Sequence, residues 1–366
     1  MEFAGYTEWD QLPESADTLF ADAEKESIFL SRTWLENLTR SALEDDQSML
    51  LAFVVRGDRV LAILPLMGRD GEHWYSLGHL YTSLFSLSLA QNDRQAILAC
   101  LVEGLSRLPA HSLRLAPVAE DDDRLHSLQK AMESSGFLCH RYFRFYNWIH
   151  RLQDETFADY MAARPTRVRN TIARKRRKLE REHGYCIRLY TGNDLQKGLA
   201  DYNAVHTASW KAKELFGGFV EGIAVSLSDR GWLRLAVLYI EEKPAAAQFW
   251  FVAHGKASIF KLAYDEAWKR YSPGSILISY LMEHVIDTDK VGEIDFLTGN
   301  DAYKMDWMTD RRVRWGLYCG KPRQPPRRTA GLADTVKAWV QRLKRAGSSS
   351  IFSSNRWANL SGQTLD

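Results

Sequence analysis

The sequence predicts an α+β fold in which one unit of mixed strands and helices is used twice. Two observations support this prediction: the chain is long enough for two domains, and its halves repeat the same order of elements. The 366 residues correspond to about two domains at roughly 150 residues each. A hydrophobic fraction of 45% with 26% charged residues is ordinary globular composition, which excludes a disordered, collagen-like or disulfide-stapled chain.

The repeat is clearest in two predicted β-hairpins. Residues 51–66 form two strands joined by a tight turn at Gly57-Asp58, and residues 235–250 repeat that layout with a turn at 241–243. Each hairpin is followed by a helix and then a strand, at 96–105 and 112–117 in the first half and at 276–286 and 293–297 in the second. Because the offset stays at about 180 residues, we predict a duplicated unit. A chance likeness of generic α/β patterns is the alternative.

The remaining patterns divide the chain into three regions. Residues 1–150 are predicted as the first domain, 151–320 as the second, and 321–366 as a basic linker, an amphipathic helix and a disordered tail. The first domain also has predicted helices at 34–43 and 125–134 and strands at 73–78 and 137–149. The second has a basic helix at 164–182 that Gly184 ends, helices at 195–211 and 220–228, and strands at 186–190, 257–264 and 313–318.

Charge and cysteine content exclude several classes of function. A net charge of +2 gives no global field that would recruit nucleic acid or lipid, so any basic function must be local. The four cysteines are far apart without a C-x-x-C motif, which indicates neither a metal site nor a disulfide framework. The N-terminus is acidic without a signal pattern, and the uncharged run at 73–92 is too polar to cross a bilayer. We therefore predict a cytoplasmic protein.

The segment 264–279 contains a candidate phosphate site. A strand ends at Tyr264, and a helix is predicted to start after Pro273-Gly274, where free N–H groups and the helix dipole suit an anion. Gly274 would let the backbone approach a ligand, with Lys269 and Arg270 as counter-charges and Ser275 at the helix start. The alternative is a plain turn with a helix cap.

Two further segments contain candidate site residues. After the strand at 293–297, Tyr303 and Lys304 offer a proton donor and a cation at the strand end, where α/β folds place ligands. The structural alternative is a capped turn with a solvated Lys304. Residues 210–219 form a glycine-containing loop between aromatic residues that could close over an acceptor, with His206 one turn earlier. An ordinary interhelical loop and a structural histidine are the alternatives.

Taken together, these motifs resemble a known family. The segments Lys-Leu-Ala-Tyr-Asp (261–265), Tyr-Ser-Pro-Gly-Ser (271–275) and Ile-Asp-Phe-Leu-Thr-Gly-Asn-Asp-Ala-Tyr-Lys (294–304) resemble the GNAT-type acyltransferases. The most similar branch is the CelD/BcsL-like one associated with cellulose and exopolysaccharide synthesis, which is related to the FemAB-type transferases. The basic segment 169–180 and the loop with Phe216-Gly-Gly-Phe219 also fit this branch. The likeness covers about residues 30–320.

The resemblance implies two tandem GNAT-like domains and an acyl thioester donor, either acyl-CoA (including acetyl-CoA) or an acyl carrier protein. The strands at 257–264 and 293–297 should splay apart around the donor arm, with the pyrophosphate at Gly274-Ser275-Ile276. The sequence departs from the family's (Arg/Gln)-x-x-Gly-x-(Gly/Ala) loop, because Arg270-Tyr-Ser-Pro-Gly-Ser275 has Pro273 and Ser275 at the glycine positions. Proline has no N–H to donate, so one phosphate contact would be missing.

The resemblance also suggests roles for individual residues. Asp265 or Asp295 is the predicted base, and Tyr303 the predicted proton donor to the leaving thiolate. The acceptor is an amine or hydroxyl, a small molecule or glycan precursor of envelope polysaccharide synthesis. Seven residues are predicted to bind it: His206, Trp210, Phe216, Phe219, Gln248, Lys261 and Lys304.

Two alternatives stay open at this point. The first is aminoacyl transfer from tRNA, with phosphate contacts from nine basic residues: Arg164, Arg167, Arg169, Arg174, Lys175, Arg176, Arg177, Lys178 and Arg181. The second is a scaffold without catalysis, in which an amphipathic helix at 332–345 contacts a partner or the inner membrane surface, giving a peripheral location.

Overall fold

One mixed sheet of 13 strands runs through residues 1–322, the part of the chain that the computed structural model describes. Residues 1–321 form a single compact unit. The linker and the amphipathic helix predicted at 332–345 lie outside the described residues. The sheet and the repeated helix–strand order confirm the predicted α+β class. The strands are β1 Glu2–Tyr6, β2 Ser48–Arg56, β3 Arg59–Gly68, β4 His73–Ser76, β5 Ser88–Leu89, β6 Ser112–Ala119, β7 Leu138–Arg151, β8 Cys186–Tyr190, β9 Leu233–Ile240, β10 Lys243–Ala253, β11 Lys256–Tyr264, β12 Glu293–Asp295 and β13 Asp310–Gly320.

Ten α-helices cover the sheet within the same described residues. They are α1 Ala16–Glu26, α2 Arg32–Ser41, α3 Arg94–Arg107, α4 Asp123–Ser134, α5 Phe157–Ala162, α6 Thr166–Glu182, α7 Leu195–Ala208, α8 Gly217–Asp229, α9 Pro273–Glu283 and α10 Lys304–Trp307. A short π-helical segment, His284–Thr288, continues α9. None of the helices in residues 1–322 combines the length and the apolar composition that crossing a lipid bilayer requires.

Both predicted hairpins are present, with turns built differently. In the first, Gly57 adopts a φ of 57° between β2 and β3, where a residue without a Cβ is least strained. In the second, Glu241 and Glu242 adopt φ values of 51° and 62° between β9 and β10. Positive φ at both central residues is the pattern of a two-residue hairpin turn whose twist matches the strands. The second turn therefore carries a conformational cost that glycine would reduce.

The order of the strands is symmetric about the middle of the sheet. It runs β1-β2-β3-β4-β6-β13-β7-β12-β11-β10-β9-β8, with β5 pairing β3 outside this path. The last strand of the second half, β13, lies between β6 and β7, while β7 of the first half pairs with β12 of the second. At the centre of the sheet, strands of the two halves therefore alternate: β13 pairs with first-half strands on both sides, and β7 pairs with β12 and β13 of the second half.

Gly316 of β13 lies opposite Tyr142 of β7, and a Cβ there would lie only 2.2 Å from the Tyr142 ring.

Three hydrophobic clusters follow this arrangement. One contains mainly first-half residues, such as Leu101 and Leu128, together with Leu317 and Cys319 of β13. Another consists of second-half residues, such as Trp250 and Leu277. The third joins residues of both halves, with Trp34 of α2 packing edge-on against Phe219 of α8 at 4.9 Å between ring centroids. Through this shared cluster, α2 and the neighbouring segments of the first half pack against α8 and the sheet of the second half.

A glycine in α8 should be required for the contact between the halves. The Asn37 side chain on α2 donates to the carbonyl of Phe219 at 2.8 Å, and a Cβ on Gly222 would lie 2.1 Å from Asn37 Oδ1. We expect Gly222→Ala to lower the free energy of unfolding by about 1–3 kcal/mol through overpacking. Gly218→Ala is the matched control: its Cβ would meet only Ser41 Cβ at 3.7 Å, and it should raise stability by up to about 1 kcal/mol. Urea denaturation measures both, and equal effects would contradict the prediction.

Candidate active site

The site begins where β11 and β12 separate. These parallel strands pair only from Lys256↔Glu293 to Ser258↔Asp295. Beyond that point β11 continues along β10 to Tyr264. The segment after β12 instead follows β7, where the Phe296 amide donates to the Trp148 carbonyl at 2.9 Å. The two strands therefore enclose a V-shaped cleft, which is the divergence that the family resemblance implies.

A β-bulge explains why β11 bends away. The register between β10 and β11 passes from Phe249↔Lys261 to Trp250↔Ile259, which leaves Phe260 as an extra residue on β11. A bulge of this kind bends its strand and increases the local twist. Past Ser258, the edge of β11 that faces β12 has no strand partner within residues 1–322. Its backbone N–H and C=O groups on that side face the cleft.

The loop between β11 and α9 uses its amides internally. Asp265 Oδ1 accepts from the Ala267 amide at 2.9 Å, and the amides of Ser275 and Ile276 both donate to the Ser272 carbonyl at 3.1 and 3.2 Å. Pro273 has no amide proton to give. The Ser275 and Ile276 amides thus have a partner at the helix start, and the pyrophosphate contact at Gly274-Ser275-Ile276 stays a prediction.

Cationic side chains surround the same helix tip. The Lys175 ammonium donates to the carbonyl of Arg270, the Lys178 ammonium lies 5.4 Å from the centre of the Tyr271 ring, and the Arg270 guanidinium lies 4.7 Å from it. Lys269 is exposed beside them. A phosphate at this tip would have the cationic side chains of Lys178, Lys269 and Arg270 nearby.

Gln248 stabilises α9 from below. Its Nε2 donates to the Gly274 carbonyl at 2.9 Å, and its Oε1 accepts from Trp250 Nε1 at 2.9 Å. The side chain is fully buried. The predicted acceptor-binding residue Gln248 thus lies in the core, where it fixes the position of the helix tip.

The loop 209–216 forms one wall of the cleft and contacts β11. The ring of Trp210 lies 4.4 Å from that of Tyr264, and Glu214 accepts from the Lys261 ammonium at 2.6 Å. Lys261 also lies 3.5 Å above the ring of Tyr81, which comes from the first half of the chain. The cleft is therefore lined by both halves.

Burial shifts the titration of the cationic groups in this cleft. Burial lowers the pKa of Lys261 to about 8, although Glu214 acts against the shift. Burial and the nearby charges of Lys261 and Lys304 lower the pKa of Lys211 to about 8, with Asp301 opposing. The pKa of His206 is also lowered, by burial and then by Lys211 and Lys261. Amines that can exist in both protonation states near neutral pH are suited to proton transfer.

The opposite wall is the turn that holds Tyr303 and Lys304. The Tyr303 ring lies 5.7 Å from that of Phe296, and burial raises the pKa of its hydroxyl, so the group stays protonated. The Lys304 ammonium donates to the carbonyls of Thr298 and Phe296 at 2.5 and 3.3 Å and lies 3.4 Å from Asp301. The alternative in which Lys304 is solvated is wrong, because only 4% of the residue is exposed. Its side chain holds the loop that forms this wall.

Asp295 lies at the point of divergence and is fully engaged. Its Oδ1 accepts from Asn147 Nδ2 at 2.5 Å and from the Leu297 amide at 2.6 Å, and its Oδ2 accepts from Arg312 Nη2 at 2.7 Å. The residue is 5% exposed. These contacts fix the start of the segment that leaves β11.

The structure brings together part of the predicted site. His206, Trp210, Lys261 and Tyr303 line the cleft or lie beside it, and Phe216 contacts the His79 ring at 5.4 Å. The other predicted residues lie elsewhere. Phe219 belongs to the core, Gln248 and Asp295 are buried structural residues, and Lys269, Arg270 and Asp265 belong to the loop before α9.

Sequence reasoning pointed to the loop 210–219 without naming its Lys211 and Glu214, and it missed His79 and Tyr81 of the cleft altogether. His79 and Tyr81 lie in the uncharged run 73–92, whose unusual density of His and Tyr among polar residues was the only signal. Both ring nitrogens of His79 are buried without a hydrogen-bond partner within the described chain, and burial followed by Lys261 lowers the pKa of His79 to about 3. It is therefore a neutral imidazole at the cleft. In residues 1–322, no three His, Cys, Asp or Glu side chains are placed to share a metal ion.

Comparisons with known proteins agree with this geometry. Residues 166–305 match the family model described as an acetyltransferase (GNAT) domain. That range contains β11, the loop before α9, β12 and the turn with Tyr303, which together form the cleft. A search of curated proteins found no match.

Several solved structures resemble nearly the whole chain. FemX aligns with a TM-score of 0.60 at 11% identity over 89% of this chain and 98% of that one. A conserved protein of unknown function from Bacteroides thetaiotaomicron aligns with a TM-score of 0.54 at 14% identity over 85% and 98%. L-PGS from Bacillus licheniformis aligns with a TM-score of 0.51 at 12% identity over 86% and 96%. The chain therefore shares its fold with these proteins, and its residues 166–305 are similar to the acetyltransferase (GNAT) domain.

Proposed function

We propose that this protein transfers an acyl group from a thioester donor to an amine or hydroxyl acceptor in the cleft between β11 and residues 296–304. The observation that carries the proposal is the cleft itself: diverging strands expose unpaired backbone groups beside Lys261, Lys211 and Tyr303. Backbone N–H groups on the free edge of β11 are suited to stabilising the oxygen of a thioester carbonyl as it gains charge.

The chemistry needs a base and an acid. The acceptor nitrogen or oxygen bonds to the thioester carbon, the carbon–sulfur bond breaks, and the acceptor gives up a proton. Neutral Lys261, available because burial lowers its pKa to about 8, accepts that proton in our proposal. Tyr303 donates its hydroxyl proton to the leaving thiolate. Asp265 and Asp295 stay predictions as bases, although Asp265 caps a turn and Asp295 is held by three donors.

In this proposal, basic side chains of the protein bind the phosphate of the donor. Acyl-CoA, acetyl-CoA and an acyl carrier protein all end in the same thioester arm, so the cleft admits each of them. The bonds already made by the Ser275 and Ile276 amides favour a donor whose phosphate is held by Lys178, Lys269 and Arg270. The association with envelope polysaccharide and the CelD/BcsL-like branch rest on sequence resemblance alone.

Aminoacyl transfer from tRNA is a second candidate because α6 presents an exposed basic face. Arg169, Arg174, Arg177 and Arg181 are exposed along it. Arg164 does not belong to that face: it is 6% exposed and donates to the Trp307 carbonyl at 2.9 Å. Lys175 and Arg176 are also engaged, with the Arg270 carbonyl and the Tyr185 hydroxyl. The basic surface is therefore smaller than the sequence suggested.

A donor panel tests these alternatives. The full chain is incubated with acetyl-CoA, longer acyl-CoAs, an acyl carrier protein thioester and aminoacyl-tRNA, each with a mixture of amine acceptors, and released thiol or deacylated tRNA is measured. We expect thiol release with at least one thioester donor, and a loss of about 10²-fold or more in turnover in Tyr303→Phe. Turnover with aminoacyl-tRNA alone would favour the second candidate. No turnover with any donor by a folded protein would favour the scaffold.

A further inference from the structure

A second pocket lies at the closed end of the V, beneath the first half of the chain. It opens to solvent and is lined by residues of both halves of the chain. Its floor consists of polar side chains from β11, β12 and β13, including Ser258, Asp295, Arg312 and Arg314. Its walls include apolar residues from the segment after α1 and from β10, such as Phe29 and Phe251.

Charges around this pocket are paired with one exception. Asp295 accepts from Arg312 at 2.7 Å, and Glu293 accepts from Arg312 at 3.1 Å and lies 3.3 Å from the Lys256 ammonium. Glu24 at the wall accepts from Arg230 at 2.6 Å. Within residues 1–322, Arg314 is the cation of the pocket floor that has no carboxylate partner.

The Arg314 guanidinium is buried and incompletely satisfied. The residue is 6% exposed, its Nε has no hydrogen-bond partner in the described chain, and its Nη2 makes one long contact, 3.4 Å, to Asn147 Oδ1. Burial and the neighbouring charge of Arg312 lower its pKa to about 10. A guanidinium loses hydration on burial and needs hydrogen-bonding anions to compensate for it. Ser258, 3% exposed, lines the same pocket.

We infer that this pocket binds a small carboxylic acid with an apolar body, whose carboxylate pairs with Arg314 and accepts from Ser258. A carboxylate matches the planar guanidinium better than a point charge does. The apolar surface of Phe29, Leu84 and Phe251 suits an aliphatic or aromatic body. The inference stands on the pocket alone and does not rest on acyl transfer.

Ligand-observed NMR with butanoate tests the inference on the full chain, with butyramide as the uncharged probe of the same shape. We expect butanoate to bind and butyramide not to. Arg314→Gln should raise the dissociation constant for butanoate at least about tenfold, because a charge-assisted hydrogen bond is lost. Arg114→Gln is the matched control, since Arg114 Nε is also unpartnered within the described residues but lies outside the pocket. This control should bind butanoate like the wild type.

A second variant keeps the test valid if Arg314→Gln fails to fold. Leu84→Trp places a larger side chain in the pocket wall while keeping Arg314, and it should also abolish butanoate binding. Absence of butanoate binding to the wild type, or unchanged binding in both Arg314→Gln and Leu84→Trp, would overturn the inference. Binding of inorganic phosphate with no binding of butanoate would also overturn it, since the site would then recognise a phosphate.

Discussion

Replacing Asp295 with alanine should lower the free energy of unfolding by about 3–5 kcal/mol, the loss expected when one member of a buried ion pair is removed. The substitution would leave Arg312 without this charge partner and would remove the acceptor for Asn147 and for the Leu297 amide. Because these contacts fix β12 at the point of divergence, the cleft should lose its shape at the same time. Urea denaturation monitored by tryptophan fluorescence measures the change.

Asp265→Ala is the matched control for this prediction. Asp265 is the other sequence-predicted base, and it only caps the turn after β11 through the Ala267 amide at 2.9 Å. Loss of such a cap should lower the free energy of unfolding by about 1 kcal/mol. If Asp295→Ala were as stable as wild type, the carboxylate would not have the structural role described here. A stable, inactive Asp295→Asn would instead support the prediction that Asp295 is the base.

Replacing Lys261 with methionine should reduce turnover by about 10²–10⁴-fold, the usual contribution of a general base. Methionine keeps the length and apolar surface of the side chain but has no amine to accept a proton. In the wild type, kcat/KM should rise with pH up to about 8, because the base is active only after the Lys261 ammonium, with a pKa of about 8, has lost its proton. This rise should be absent in the variant. Steady-state kinetics over a range of pH measure both effects.

Two variants separate proton transfer from other roles of Lys261. Lys261→Arg keeps the positive charge but cannot become neutral in this pH range, so it should be as inactive as Lys261→Met. Recovery of activity in Lys261→Arg would show that only the charge matters, and it would overturn the base assignment. Lys213→Met is the neutral control, because Lys213 is exposed in the same loop as Lys211 and contacts none of the cleft residues described above.

Local patterns predicted the elements of the fold well and their pairing poorly. The hairpin at Gly57 and the helix stop at Gly184 could be predicted because each depends on a residue with positive φ, 57° and 70°. Helix α1 was not predicted, because it lies in the acidic N-terminal segment and its buried residues are only Ala16, Phe20 and Ala23. The strand predicted at 313–318 is present as β13, but its partners β6 and β7 lie far away in sequence. Such pairing is set by tertiary packing, which no local pattern contains.

The candidate site was predictable where the sequence carries a dense motif. The segments 261–275 and 293–304 contain the diverging strands, and the structure places Lys261 and Tyr303 beside the same cleft, while the roles of both residues stay predictions. Glu214, Lys211, His79 and Tyr81 come from two distant loops that have no common motif. Their convergence depends on the cluster that joins the halves around Trp34 and Phe219. Gln248 shows the opposite error, because a polar residue inside an apolar strand fits a structural hydrogen bond as well as a ligand contact.

The position of β13 between β6 and β7 has a consequence for biosynthesis. On the ribosome, residues 1–151 emerge first, yet β6 and β7 have no bridging strand until residue 320 has been translated. Until then, the edges of β6 and β7 that pair with β13 are unpaired in the nascent chain. Unpaired strand edges can pair with strands of other molecules. Because β13 pairs with both β6 and β7, the centre of the sheet is completed late in folding, when both pairings form together.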